Sequence, residues 1–397
     1  MFLSPAAQET VQPSPKILSS RYAVDYQMRR PGNTGSFPPN TARPAVAADP
    51  SELALIESIR QRAATGKARG PLRLGIGDDC AILRPRAGDE IVLTTDLSLE
   101  LVHFRRDWHP AEAVGHRCLA RGLSDLAAMG ARPMAAFLSL AIPPELTRKK
   151  RGTPTSARSW MDRFLDGFFR LAEAFDVPLA GGDLAQSPRV TGSLSLVTAD
   201  ILLLGSVPRG RALLRSTARS GDILYVTGSL GGSAAELLAL ERSPQRYCNS
   251  LPTQPHPHLY PQPRLATGIK LRADGLATAA IDISDGLSTD LAHLCEASAL
   301  TAEIDAHSIP IHVMAVLAEK AALTPSALTL ALHGGEDYEL LFTAAPATRM
   351  PAKIGGVPLH PIGRMLPRRA GRPILTLRSG SHRKPLDPGG WQHFRPR

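Results

Sequence analysis

The sequence predicts a two-domain protein of mixed α/β or α+β class. Three observations predict it. The chain has 397 residues, more than one core of the usual ~100–200 residues fills. Strand-like and helix-like patterns alternate through both halves. The pattern also resets around Val207-Pro-Arg-Gly210, which places the domains at 48–207 and 208–397. Residues 1–47 stand apart. Pro5, Pro13, Pro15, Pro31, Pro38, Pro39 and Pro44 interrupt every possible element and apolar periodicity is absent, so a disordered extension is expected there.

The elements follow in order. Leu53, Leu55, Ile56 and Ile59 share a helix face after Ser51, a suitable N-cap. Leu74-Gly-Ile-Gly-Asp-Asp-Cys-Ala-Ile-Leu83 is a glycine-rich entry into an acidic turn, and Ile91–Asp96 reads as a strand ending in polar residues. Val114, Cys118, Leu119, Leu123, Leu126 and Met129 recur at helical spacing over 111–129. A strand is expected over Ala135–Ile142 and a helix over 159–175, with Trp160, Phe164, Phe168 and Leu171 on one face. Thr191–Leu204 carries a long β signal. Beyond the reset, Ile223–Thr227 is strand-like and Gly228-Ser-Leu-Gly-Gly-Ser233 opens a helix. Ser243–Gln262, rich in Pro and His, reads as a loop, Gly286–Ala299 as a helix and Glu339–Thr343 as a strand, with more short strands behind.

Composition narrows the function. The apolar fraction of 43% and charged fraction of 21% are those of a globular protein. No run approaches the ~18 apolar residues of a membrane span, and the opening residues lack the basic and apolar regions of a secretory signal. A cytoplasmic protein without a membrane partner is expected. Cys80, Cys118, Cys248 and Cys295 form no CxxC pair and no zinc-like spacing with His, so reduced thiols are expected. The net charge of +10 suits anionic partners. No RNA-binding aromatic signature or zinc-finger spacing accompanies it, so nucleic acid is not expected as a partner.

The chemistry lies in where the carboxylates fall. Asp78 and Asp79 close a glycine-rich turn, Asp96 follows two threonines, and Asp125 sits within Leu-Ser-Asp-Leu-Ala-Ala-Met-Gly. Asp183 follows Gly181-Gly182, Asp282 and Asp285 lie in Ile-Asp-Ile-Ser-Asp-Gly, and Glu336-Asp337 follow Gly334-Gly335. Singly, each could be a cap or a turn residue. Together they would repel unless cations held them, and hard oxygen ligands suit Mg²⁺ rather than zinc. Magnesium with few carboxylates points to phosphate chemistry, yet no GxxxxGK[ST] loop and no protein-kinase glycine loop with its Lys and HRD partners is present.

Ten segments carry a specific resemblance. They are Gly75-Ile-Gly-Asp-Asp-Cys-Ala, Thr94-Thr-Asp96, Val102-His-Phe104, Leu123–Ala131, Gly181-Gly-Asp183, Gly210-Arg-Ala-Leu-Leu-Arg-Ser216, Tyr225-Val-Thr-Gly228, Ile281–Leu287, Gly334-Gly-Glu-Asp-Tyr-Glu-Leu340 and Gly390-Trp-Gln-His-Phe394. In order and approximate spacing the chain from about residue 51 onward resembles the thiamine-monophosphate kinase family. That family belongs to a superfamily with aminoimidazole ribonucleotide synthetase and selenophosphate synthetase.

The resemblance implies an N-terminal mixed sheet with helices, a C-terminal α/β sandwich, and a homodimer formed through the N-terminal half. It implies an ATP- and Mg²⁺-dependent phosphorylation of thiamine monophosphate to thiamine diphosphate, the last step in making that compound. Several Mg²⁺ ions would be held by Asp79, Thr94, Thr95, Asp96, Asp125, Asp183, Asp282 and Asp285. ATP would meet Gly182, Asp183, Arg215 and Ser284, and thiamine monophosphate would meet His103, Glu336 and Trp391. Asp96, Asp125 and Arg215 are the implied catalytic residues. The family's C-terminal aromatic is often Tyr where this chain has Trp391, which keeps a face on which a cationic thiazolium can stack. Segments 149–158 and 243–262 have no clear counterpart.

Overall fold

The computed structural model describes residues 51–64, 70–149, 158–188, 195–392 and 394. The expected disorder of 1–47 and most of the 149–158 segment lie outside the described residues.

Helix α1 (Glu52–Ala64) begins at Ser51, whose Oγ accepts the Ala54 N–H at 3.3 Å. Strands β1 (Leu72–Leu74) and β2 (Ile82–Leu83) pair as a hairpin around the acidic turn. A four-stranded sheet follows, built from β3 (Asp89–Leu99), β4 (Arg132–Ile142), β5 (Leu179–Gln186) and β6 (Thr198–Pro208) in the order β3-β6-β4-β5. β6 runs antiparallel to both β3 and β4, whereas β4 and β5 are parallel. The parallel pair needs a crossover, which helix α3 (Trp160–Ala174) supplies behind a Ser159–Asp162 capping box.

Helix α2 (Ala111–Ala128) covers one face of this sheet. Its Leu119, Leu123 and Leu126 pack with Ile201 and Leu203 of β6 and with Leu138 and Leu140 of β4. The same core continues into the second half, since Leu265 and Leu271 of α5 (Leu265–Ala273) belong to it. So do Ala280 of β8 (Ala279–Asp282) and Leu340 and Phe342 of β10 (Leu340–Ala344). Helix α2 is therefore buried on nearly every side.

The larger sheet runs β14-β13-β9-β12-β7-β10-β8, with β11 added alongside β12. Its remaining members are β7 (Ile223–Thr227), β9 (Leu300–Asp305), β11 (Lys353–Ile354), β12 (Val357–Pro367), β13 (Leu375–Ser379) and β14 (His382–Pro385). Only β13 and β9 pair in parallel. Leu341 points to the opposite side from Leu340 and Phe342, into a second core with Leu287 and Leu291 of α6 (Leu287–Ala297) and Leu332 of α8 (Ala327–His333). Helices α4 (Gly232–Arg242) and α7 (Val313–Lys320) pack beside α8.

Several predicted elements change at their edges. Asp96 does not end its strand, because β3 stays paired with β6 as far as Leu99. Asp183, following Gly181-Gly182, lies inside β5. The strand expected over Thr191–Leu204 starts at Thr198 and runs on to Pro208. The Pro- and His-rich segment is a loop with one 3-10 turn, Pro244–Arg246. It is nevertheless packed inward, because the buried Glu236 carboxylate accepts the His258 N–H at 2.7 Å.

Candidate active site

Alternation along β3 turns Thr94 and Asp96 toward α2 and Thr95 the other way. Helix α2 meets them with Arg117, Arg121 and Asp125, spaced four residues apart on one face. The Thr94 hydroxyl donates to Asp125. Arg121 Nη2 lies 3.4 Å from Asp96 Oδ1. From the second half, β8 ends on Asp282, whose Oδ2 accepts from Ser124 Oγ at 2.7 Å.

The turn after β8 is fixed by Asp290 of α6. Its carboxylate accepts the N–H groups of Ser284, Asp285 and Gly286 at 3.1, 3.1 and 3.0 Å. The 334–338 loop is hung from that turn, with the Glu336 N–H donating to Ser284 O at 2.7 Å and the Tyr338 N–H to Ile283 O at 3.0 Å. Those bonds hold Glu336 at φ +64°, a left-handed conformation that costs a non-glycine residue about 1–2 kcal/mol. The C-terminal segment reaches the same turn. Trp391 N–H donates to Asp285 O at 3.0 Å, and a Cβ at Gly390 would lie 2.1 Å from that oxygen. Only glycine allows the approach that sets Trp391 over the site.

These elements enclose a cavity of about 340 Å³ whose lining includes Asp96, Asp125, Asp282, Asp285, His103, Glu336 and Trp391. Ser284, Arg121 and Tyr338 also face it. A larger groove of about 1,040 Å³ lies elsewhere, by Arg62, Arg84 and Arg132. None of the carboxylates named above faces that groove, so we place the chemistry in the smaller cavity.

Burial dominates the electrostatics. It pushes Asp96 up to about 6; Arg121 pulls the carboxyl back, and Asp125 and Asp200 add to the rise. Burial also raises Asp125, against the Thr94 hydrogen bond and the charges of Arg215 and Arg121. Asp282 is raised by burial and then by repulsion from Asp125. Glu336 behaves oppositely. Burial alone would raise it, but Arg117, donating from Nη2 at 2.6 Å, together with His258 and Arg121 outweighs that and holds it at about 2. Behind this pair, Arg117 Nη1 donates to His258 O at 2.5 Å, and His258 Nδ1 stands 3.6 Å from Glu336.

The donor set fits magnesium on a substrate. Buried carboxylates that resist ionisation beside one another are stabilised by a cation. Among the described residues no three His, Cys, Asp or Glu side chains converge to hold an ion unaided. Mg²⁺ in general takes one or two carboxylates and completes its shell with substrate phosphates and water.

The remaining sequence-predicted residues stand outside the cavity lining. Thr95 is exposed on the far face of β3, in register with Leu202. On that face Asp183 pairs with Ser139, which pairs with Asp200, which pairs with Leu97. Gly182 has φ +150°, and a Cβ there would lie 1.9 Å from Leu138 O, so β5 passes β4 closely only with glycine. Asp79 is exposed in the hairpin turn, whose Gly75 runs against Ala180 of β5. Arg215 is exposed on a 3-10 turn (Arg215–Thr217), and its charge reaches Asp125 and Asp282.

Sequence reasoning did not single out Arg117, Arg121, His258 or Asp290. The detectable signal was a charged Arg-x-x-x-Arg-x-x-x-Asp row on a helix otherwise patterned as core.

A carboxylate-rich cavity between two α/β halves, with no P-loop, sets the chain apart from the P-loop and protein-kinase folds. Residues 77–207 match the AIR synthase related protein N-terminal domain and residues 219–369 its C-terminal domain. The chain is 38% identical over 335 residues to thiamine-monophosphate kinase of Escherichia coli (strain K12), covering 82% of this chain and 94% of that protein. The crystal structure of thiamine-monophosphate kinase from Stenotrophomonas maltophilia K279a superposes with a TM-score of 0.66 at 35% identity, over 83% of this chain and 96% of that one. A structure described as AaThiL complexed with AMPPCP and TMP gives 0.61 at 27% identity, over 86% and 97%. The chain belongs to the AIR synthase related family and, within it, to the thiamine-monophosphate kinases.

Proposed function

We propose that the chain transfers the γ-phosphoryl group of ATP to the phosphate of thiamine monophosphate, yielding thiamine diphosphate and ADP. The observation that carries this is one cavity in which Asp96, Asp125, Asp282 and Asp285 face His103, Glu336 and Trp391. The named relatives and the AaThiL complex with AMPPCP and TMP support it.

In the transfer, the bond from the γ-phosphorus to its bridging oxygen breaks as a phosphate oxygen of thiamine monophosphate bonds to that phosphorus. ADP leaves with the bridging oxygen. The acceptor is already an anion near neutral pH, since its second pKa is about 6, so no general base is assigned. Charge is the obstacle. Two dianionic groups about 4 Å apart at an effective dielectric near 20 repel by on the order of 17 kcal/mol.

Magnesium, when bound, neutralises phosphate charge and aligns the reacting groups. Asp96, Asp125, Asp282 and Asp285, with Thr94 beside Asp125, would hold it from the cavity; Thr95 and Asp183 would do so from the outer sheet face, and Asp79 from the hairpin turn. Gly182, Asp183, Arg215 and Ser284 would bind ATP, with the Arg215 charge near Asp125 and Asp282 offsetting the transferred group. His103 and Glu336 would orient the acceptor, and the Trp391 ring would lie against its cationic ring.

A second copy of the chain would cover the outer face of the four-stranded sheet. Leu93 is 60% exposed and Ile91 and Leu97 nearly half exposed there, an apolar surface that supports a homodimer. We place the domain boundary at 207–208, a reading supported by the two family matches meeting near it. ATP and Mg²⁺ as reactants support a cytoplasmic location. Among the described residues, no helix is long and apolar enough to cross a membrane.

The test is incubation with Mg²⁺, thiamine monophosphate and ATP labelled at the γ-phosphorus, followed by acid quench. Label should appear in thiamine diphosphate, be lost with EDTA and never reside on protein. Label recovered on an aspartate would overturn direct transfer, and its absence from thiamine diphosphate would overturn the assignment.

A further inference from the structure

Helix α2 lays Arg121 and Asp125 along one wall of the cavity with Arg117 behind Glu336, and Arg117 and Asp125 have hydrogen-bond partners. Arg117 donates to Glu336 and to the His258 carbonyl. Asp125 accepts from Thr94. Arg121 is different. Its Nη2 faces Asp96 at 3.4 Å, but Nε and Nη1 are buried and have no hydrogen-bond partner among the described residues. Its side chain is 17% exposed and lines the cavity beside Asp96, Glu336, Tyr338 and Trp391.

A guanidinium stays charged and carries five N–H donors in a fixed fork. Leaving buried donors unmatched is costly, and native proteins seldom do so without a reason. The nearby carboxylates do not meet the demand, because Asp125 is tied to Thr94 and Glu336 to Arg117. A ligand with several anionic oxygens would, and phosphate is the group that guanidinium geometry matches. The position is also specific. Arg121 lies between the Asp96–Asp125 pair, where the transfer is placed, and Glu336 and Trp391, where the acceptor's rings are placed.

We infer that Arg121, turning its guanidinium from these buried positions into the cavity it lines, binds the phosphate of the acceptor and so makes this cavity prefer a phosphorylated thiamine to the free alcohol. This rests on the acceptor reading given above.

The test is calorimetric titration of wild type, Arg121→Gln and Arg121→Lys with thiamine monophosphate and with free thiamine, each with Mg²⁺ and AMPPCP. Arg121→Gln should weaken thiamine monophosphate by ~10–100-fold, the scale of lost charge-assisted hydrogen bonds, and leave free thiamine unchanged. Arg121→Lys should recover part of the loss, and it carries the comparison if the Gln variant does not fold. Equal weakening of both ligands, or weakening of AMPPCP alone, would overturn the inference. Wild type that binds no thiamine monophosphate would sink the acceptor reading and this inference together. Wild type that binds it, with Arg121→Gln binding it equally well, would sink the inference alone.

Discussion

Asp96, with Thr94 bonded to Asp125 beside it, looks inward from β3 onto a cavity whose walls the chain itself supplies, whereas Thr95 and Leu97 look outward onto a face that this chain leaves open. On the inner side several proposed ligands are braced. Asp125 is held by Thr94, Asp282 by Ser124, and the 284–286 turn by Asp290. On the outer side Asp183 is exposed in the row that reaches Leu97, and Asp79 is exposed in the hairpin turn. Bracing keeps the buried carboxyls in place without a ligand and works against the burial that raises their pKa values. The open, partly apolar face with scattered carboxylates is the surface that the proposed second copy would cover. The contrast explains why residues expected to bind metal together lie on opposite sides of one strand.

Breaking the braced side should have the largest effect. Asp125→Ala or Asp96→Ala should lower turnover at least ~100-fold, the scale for losing preorganised charge stabilisation, while the oligomeric mass is unchanged. Steady-state kinetics checks this, and near-normal turnover would remove the residue from the site. The open side should respond in the other way. Leu93→Asp should weaken self-association at least ~10-fold, because an unpaired charge is costly to bury, with turnover falling as the dimer is lost. Light scattering against activity tests it, and a stable dimer would show that this face is not the interface.

The smallest expected effect concerns proton affinity. Glu336 sits at about 2 in the folded protein against an ordinary 4.5. Its depressed pKa adds stability that is present above about 4.5 and lost as pH falls toward about 2. Arg117→Met removes the chief opposing charge, so the burial effect should push Glu336 upward. The acid limb of kcat/KM for thiamine monophosphate should then rise by ~1 pH unit or more. An unmoved limb would show that Glu336 does not govern acceptor binding.

Much of this was legible in the sequence where a local rule governs. The helix over 111–129 and the strand over 223–227 follow from periodicity, and α2 and β7 occupy nearly those residues. The Gly-Asp clusters mark turns that return carboxylates toward a shared space, as at Asp282 and Asp285. Two things were not legible. Strand alternation separates Thr94 from Thr95, but which side faces the cavity depends on where α2 packs. Arg121 and Arg117 sit within a core-like helical pattern, and their roles arise only when Asp96 from β3 and Glu336 from a distant loop arrive beside them. His258 was masked by its setting, since a Pro-rich loop reads as surface until Glu236 pulls it inside.

The most direct test offers thiamine monophosphate, free thiamine, selenide and formylglycinamidine ribonucleotide in parallel, with Mg²⁺ and ATP, and identifies every phosphorylated product. The account predicts thiamine diphosphate from thiamine monophosphate and no product from the other three. Turnover of another acceptor, or none although ATP binds, would contradict it and strip His103, Glu336 and Trp391 of the roles proposed for them.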